Sequence, residues 1–137
     1  MSKVVDDLLR RACASQRLAM ERALLDIDVT PAQFAAMEWL WEEPGLSGSE
    51  MARRERLTAP TSSVIVANLE RKGLLARRLH ARRGRAQYLE LTPLGREKVA
   101  AGAKAVEDVR GRLTAGLKPE IQLALMIWLE RLMDIDI

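Results

Sequence analysis

The chain is poor in the residues that build covalent or metal-held scaffolds. A single cysteine, Cys13, excludes an internal disulfide, and with a single histidine, His80, it cannot form a His/Cys zinc cage. Aromatic side chains make up 4% of the 137 residues, with one Tyr, too few for a protein that stacks single-stranded bases. The longest apolar run, Leu123 to Leu129, falls far short of the ~20 residues of a membrane-spanning helix. Met1-Ser2-Lys3, with Asp6-Asp7 soon after, lacks the apolar stretch of a signal peptide, so a cytoplasmic protein with no membrane partner is expected. There is no phosphate-cradling glycine loop, nucleophile elbow or metal triad. Asp134 and Asp136 are too few for a metal site, and His80 reads as a surface or phosphate-side residue. The expectation is a protein that is not an enzyme and carries no cofactor.

What is present is a globular composition, 48% hydrophobic and 30% charged, of single-domain length over 1–137. The net charge of +3 hides an uneven distribution. Gly45 to Lys98 holds 12 Lys/Arg against 5 Asp/Glu, an excess of +7, while the remainder sums to −4. Such asymmetry points to a basic patch for a polyanion on a neutral-to-acidic scaffold, or to a solvated charged face.

Proline and glycine mark the elements. Thr30-Pro31-Ala32-Gln33 supplies an N-cap hydroxyl, Pro at the first helical position and Gln at the capping-box position; Pro44-Gly45 stops that helix. Ser47-Gly48-Ser49-Glu50 is a second capping box, opening a short helix with Met51, Ala52 and Leu57. Thr58-Ala59-Pro60 opens a helix ending at Gly73, Thr92-Pro93 opens another, and Lys118-Pro119 the last. Before Thr30, Val5, Leu8, Leu9, Ala12, Cys13, Ala19, Met20, Ala23 and Leu24 share one helical stripe. Leu74-Leu75 and Leu89-Glu90-Leu91 flank an Arg-rich centre around Gly84, the pattern of a two-stranded hairpin. The predicted order is helix, helix, short helix, helix, hairpin, long helix, helix.

Two short capped helices followed by a basic hairpin describe a winged helix-turn-helix, a mainly α fold with a small β wing. A helix fits the DNA major groove and reaches base edges with its N-terminal residues. In the helix from Thr58, Ser62, Ile65, Val66 and Leu69 form the inward stripe. Pro60, Thr61, Ser63, Val64, Ala67 and Arg71 form the outward face, small and polar near its start. Five Arg and one acid, Glu90, lie between Leu75 and Leu91. Ser47, Thr58, Arg78, Arg82, Arg83 and Arg85 complete the set of candidate DNA contacts. A winged-helix module that binds an acidic protein partner is the alternative, since folds are reused.

Three stretches, "VTPAQFAAMEWLWEEPGLSGSEMARRERL", "TAPTSSVIVANLERKGLLARR" and "HARRGRAQYLELTPLGREK", carry a further signal. Leu69-Glu70-Arg71-Lys72-Gly73-Leu74, then a Gly-Arg-Ala wing and Leu-Thr-Pro-Leu-Gly, resembles the MarR family of winged-helix transcription regulators, from Val4 to Leu132. The resemblance implies a winged helix-turn-helix over 30–91 and dimerisation helices over 1–29 and 92–137. It also implies a homodimer whose terminal helices interlock and whose two wings grip a palindromic operator. Ile121 to Met133 supports this independently, being apolar on more than one face of its helix, as a segment serving core and partner together would be. One departure stands out: many family members carry an acid two residues before the wing Arg. Here that Arg is Arg85 and the preceding position is Arg83, which favours phosphate contacts over groove-shape readout.

Cys13 lies near the position where some family members keep a peroxide-sensing thiol, about one turn away from it. Arg10, Arg11 and Arg17 are near in sequence, but no Tyr or His precedes His80, so a small buried hydrophobe is expected and thiol-based redox sensing is the alternative. Family members often bind small aromatic or phenolic anions between the dimerisation helices and the winged domain. The candidates here are Arg10 and Arg17 as anion partners, beside Cys13, with Met20, Phe34, Met37, Trp39 and Trp41 as walls. Phe34, Met37, Leu40 and Trp41 have the spacing of a packed core, whereas Trp39 falls off that stripe. The function expected is a sequence-specific double-stranded-DNA regulator, a repressor released by such a ligand.

Overall fold

The computed structural model describes residues 1–79 and 87–135. Among them, helix α1 spans Ser2–Ala23, a 3-10 turn covers Leu25–Ile27, α2 spans Pro31–Glu42, α3 Gly48–Glu55 and α4 Ala59–Arg71. Strands β1 (Leu75–Leu79) and β2 (Gln87–Leu91) follow, then α5 (Pro93–Thr114) and α6 (Pro119–Leu132). The order matches the expected one, and the mainly α fold with a two-stranded wing is observed.

Local chemistry starts most of these helices. The hydroxyls of Thr30, Ser47, Thr58 and Thr92 each accept the backbone N–H three residues on. At Thr30–Gln33 and Ser47–Glu50 the side chain of the third residue reaches back to the cap N–H, closing both capping boxes. α4 gives way to a left-handed Gly73, φ 75°, a conformation that an L side chain resists.

The core lies beneath the helix-turn-helix. Leu24, Met37, Leu40, Met51, Leu69, Leu89 and Val106 are fully buried, with Met20 and Leu75 beside them, so every element from α1 through α5 contributes. β1 and β2 pair antiparallel, with Leu75 opposite Leu91 and Arg77 opposite Leu89. The Leu89 N–H donates to the Leu46 carbonyl at 2.8 Å, laying β2 against the segment before α3. Lys72 Nζ donates to the Asp28 carbonyl at 2.7 Å and to Gln33 Oε1 at 3.2 Å, tying the end of α4 to the start of α2.

Three expectations are corrected by this packing. Only the last turns of α1, from Ala19, pack on the core, so Val5, Leu8 and Cys13 are exposed in the single chain. Cys13 is therefore not a buried hydrophobe of its own chain: it precedes the part of α1 that meets other elements. α6 contains no buried residue, so it adds nothing to the chain's own core. Trp41 is 43% exposed rather than packed inside, with the Arg96 guanidinium 5.4 Å from its ring centroid. It sits 100° round from Leu40 in the last turn of α2, where the neighbour is the charged start of α5 and not an apolar face.

Candidate nucleic-acid interface

α3 and α4 form the two arms of a helix-turn-helix, and the turn between them is set by the backbone. Arg56 closes α3 in the left-handed region, φ 57°, and Thr58 then caps α4. Thr58 Oγ accepts from the Thr61 N–H at 3.4 Å and donates to Thr61 Oγ at 2.9 Å, which fixes both side chains at the head of α4. The two faces of α4 separate as the periodicity predicts. Ser62, Ile65, Val66 and Leu69 are buried, while Pro60, Thr61, Ser63, Val64, Ala67 and Arg71 are exposed. Val64, apolar yet 60% exposed, has no internal packing to explain it.

A groove of about 410 Å³ opens where the start of α3, the start of α4 and the hairpin meet. It brings Ser47, Gly48 and Ser63 together with Arg77 and Gln87. Arg77 was not among the sequence-derived candidates. Strand alternation is the signal that marks it, because it puts Arg77 and Arg78 on opposite faces of β1. The basic groups here are not all free. Arg78 Nε donates to Glu90 Oε1 at 2.6 Å, a bond that raises its pKa, and Arg77 Nε donates to Glu70 Oε1 at 3.3 Å. Arg71 bonds Asn68 one turn earlier in its own helix. His80, Arg82, Arg83, Gly84, Arg85 and Asp136 lie outside the described residues.

The second candidate site is arranged differently from expectation. A cavity of about 210 Å³ lies between α1, α2 and α5, with Met20, Leu24, Phe34 and Val106 as apolar walls. Of the charged residues proposed for it, neither Arg10 nor Arg17 is present. Gln16, Met20 and Leu24 recur every four residues and share the cavity face of α1, which turns Arg17 away. Arg10 lies about 9 Å before Gln16 along the helix, paired with Asp7. Met37 is wholly enclosed in the core. Trp39 is held instead between α2 and α3: its Nε1 donates to Glu55 Oε1 at 2.9 Å, and Arg54 stands 6.0 Å from its ring centroid. The charged groups that do line the cavity are Glu38, Glu55 and Arg110.

A family model for the MarR family matches residues 27–86. Over 125 residues the chain is 30% identical to the HTH-type transcriptional repressor Mb2911 of Mycobacterium bovis, which covers 91% of this chain and 90% of that one. The chain belongs to the MarR family. The fold agrees with solved structures at lower identity. The S. aureus MepR–DNA complex superposes with a TM-score of 0.85 at 24% identity, covering 93% of this chain and 92% of that chain. BpsR of Bordetella bronchiseptica, described by its regulation of DNA binding by 6-hydroxynicotinic acid, gives a TM-score of 0.84 at 24% identity, covering 95% and 93%.

As a MarR-family chain, it is a DNA-binding transcription regulator and not an enzyme. The family match covers α2 to β1, the segment that holds the helix-turn-helix. No described helix is long and apolar enough to cross a membrane. No group of three His, Cys, Asp or Glu among the described residues is placed to hold a metal.

Proposed function

We propose that this MarR-family chain is a transcriptional repressor that binds a palindromic double-stranded operator as a homodimer and is released by a small aromatic or phenolic ligand. The observation that carries the reading is the outward face of α4. A capped helix start with small side chains at Thr61, Ser63 and Ala67, and an unpacked apolar Val64, suits close approach to base edges and thymine methyls. Ser47, Thr58, Pro60, Arg71 and Arg78 flank that face. In the sequence, Arg82, Arg83 and Arg85 lie between β1 and β2, as wing contacts to phosphate would.

Repression is supported by the curated relative, itself a repressor. Release by a ligand is supported by the regulation described for BpsR. A homodimer is supported by the exposed apolar faces of α1 and α6, with 1–29 and 92–137 as dimerisation segments around a winged unit over 30–91. The cytoplasm is then its place of action.

Selection of bound sequences from random duplexes, followed by a salt titration on the selected duplex and a scrambled one, tests the reading. A steep linear salt slope with a clear preference for the selected duplex is expected. A flat slope without preference supports the acidic-partner reading instead.

A further inference from the structure

The cavity between α1, α2 and α5 is built against an anion. Its single cation, Arg110, is already engaged by two carboxylates: Nη2 donates to Glu38 Oε1 at 2.6 Å and Nη1 to Glu107 Oε1 at 2.8 Å. The hydrogen bond to Glu38 raises the pKa of Arg110, with Glu107 adding to it and burial opposing it. An arriving carboxylate or phenolate meets an Arg110 whose charge is already balanced by Glu38 and Glu107, and it faces the carboxylates of Glu38 and Glu55 as well.

A cation meets the opposite situation. Trp39 engages Glu55 through Oε1, and Arg110 engages Glu38 through Oε1, so neither carboxylate is bonded at both oxygens. Leu24, Phe34 and Val106 lie beneath them as a buried apolar floor. The volume of about 210 Å³ is below the roughly 300–1,000 Å³ of pockets for drug-sized ligands, which limits the occupant to about one ring. We infer that this cavity binds a small ring-bearing amine, its ammonium held by Glu55 and Glu38 and its ring laid on the apolar floor.

The regulatory consequence rests on the ligand-released reading above; the binding does not. Glu55 is the last residue of α3 and adjoins the left-handed Arg56 that leads into α4. A ligand that draws on Glu55 therefore acts on the turn that sets α4 against α3.

Benzylamine, benzyl alcohol and benzoate share one ring and differ in charge, so they serve as probes. Titration calorimetry on the full chain is expected to show saturable binding of benzylamine about tenfold tighter than benzyl alcohol, with no saturable binding of benzoate. Glu55→Gln retains an acceptor for Trp39 but removes the charge. It is expected to weaken benzylamine about tenfold while melting as the parent does. Benzoate binding as tightly as benzylamine, or no saturable benzylamine binding, overturns the inference on the unaltered chain alone, whatever the variant does. Unchanged benzylamine affinity in folded Glu55→Gln overturns it too. Release is measured separately, by anisotropy of the selected duplex. Benzylamine that binds, yet leaves duplex affinity unchanged, upholds the amine site and refutes ligand release.

Discussion

Thr92 closes the recognition unit from behind by donating its hydroxyl to the Gly73 carbonyl at 2.6 Å. The same oxygen accepts from the Gly95 N–H at 3.1 Å, and the Thr92 N–H donates to the Leu74 carbonyl at 3.1 Å. One residue thus joins the end of α4 to the start of α5. The contact is close enough that a Cβ on Gly95 would lie 2.1 Å from the Leu74 carbonyl oxygen, a backbone atom that cannot rotate away. Gly95→Ala is expected to destabilise the fold by about 1–3 kcal/mol, the usual range for overpacking. Thr92→Val, which loses the cap but keeps the shape, is expected to cost about 1 kcal/mol. Denaturant melts of the two variants check the order. Gly95→Ala as stable as the parent refutes the close approach.

This junction also shows what a one-dimensional reading can reach. Caps are local: Thr30, Ser47, Thr58 and Thr92 each bond a group three residues away, so their helices were legible from residue type and spacing. The two faces of α4 were legible because a helix repeats within a few residues. Partners set by the crossing of distant elements were not. Trp39 meets Glu55 across 16 positions and Arg110 meets Glu38 across 72, and neither pairing leaves a periodic trace. The cavity between α1, α2 and α5 is of this second kind. Arg10 and Arg17 share α1 with Met20, but helix rotation and rise take them away from the cavity. Burial of Cys13 and Trp41 was overestimated because an apolar stripe does not reveal where the packing element ends.

Arg56 offers a test of the helix-turn-helix turn itself. It adopts φ 57° without being glycine, a conformation that costs a side-chain-bearing residue roughly 1–2 kcal/mol. Its ion pair with Asp134, at 3.8 Å, is exposed and contributes little. Arg56→Gly is expected to stabilise the chain by about 0.5–1 kcal/mol after the added unfolded-state entropy is deducted. Gly73→Ala, where the left-handed residue is already glycine, is expected to destabilise by about 1 kcal/mol. Both shifts are read from thermal or denaturant melts. A stability loss in Arg56→Gly shows that the turn is held by the side chain and not strained by it.

The apolar surface of α6 predicts a separable dimer. Leu129 is exposed in the single chain and α6 buries nothing in its own core, so Leu129→Glu is expected to remove the interface while leaving the winged unit folded. Light scattering at micromolar concentration is expected to report a dimer for the parent and a monomer for the variant. Near-UV dichroism reports whether the core persists. A monomeric parent refutes the homodimer, and a dimeric variant refutes α6 as its seat.

Reading and gripping of the DNA are expected to fall to different residues. Ser63 and Val64 stand exposed on the outward face of α4, within reach of base edges if α4 enters the major groove. Losing a base contact costs about 1–3 kcal/mol and relaxes preference at one position of each half-site. Losing a phosphate contact weakens all sequences alike and flattens the salt slope by about one unit per monomer. Ser63→Ala and Val64→Ala are therefore expected to change selectivity more than salt dependence. Arg83→Ala is expected to lower affinity for every duplex, since no acid stands two residues before Arg85 to orient it. Glu90→Gln is expected to do the reverse. It releases Arg78 from a 2.6 Å ion pair at the exposed surface of the hairpin, which raises affinity for selected and scrambled duplexes together and steepens the slope. Two-fold symmetry sets the half-sites roughly 10 base pairs apart, centre to centre. All four variants are compared on both duplexes across a salt series. If Arg83→Ala abolishes discrimination while Ser63→Ala and Val64→Ala leave it intact, the wing reads the sequence and α4 only grips.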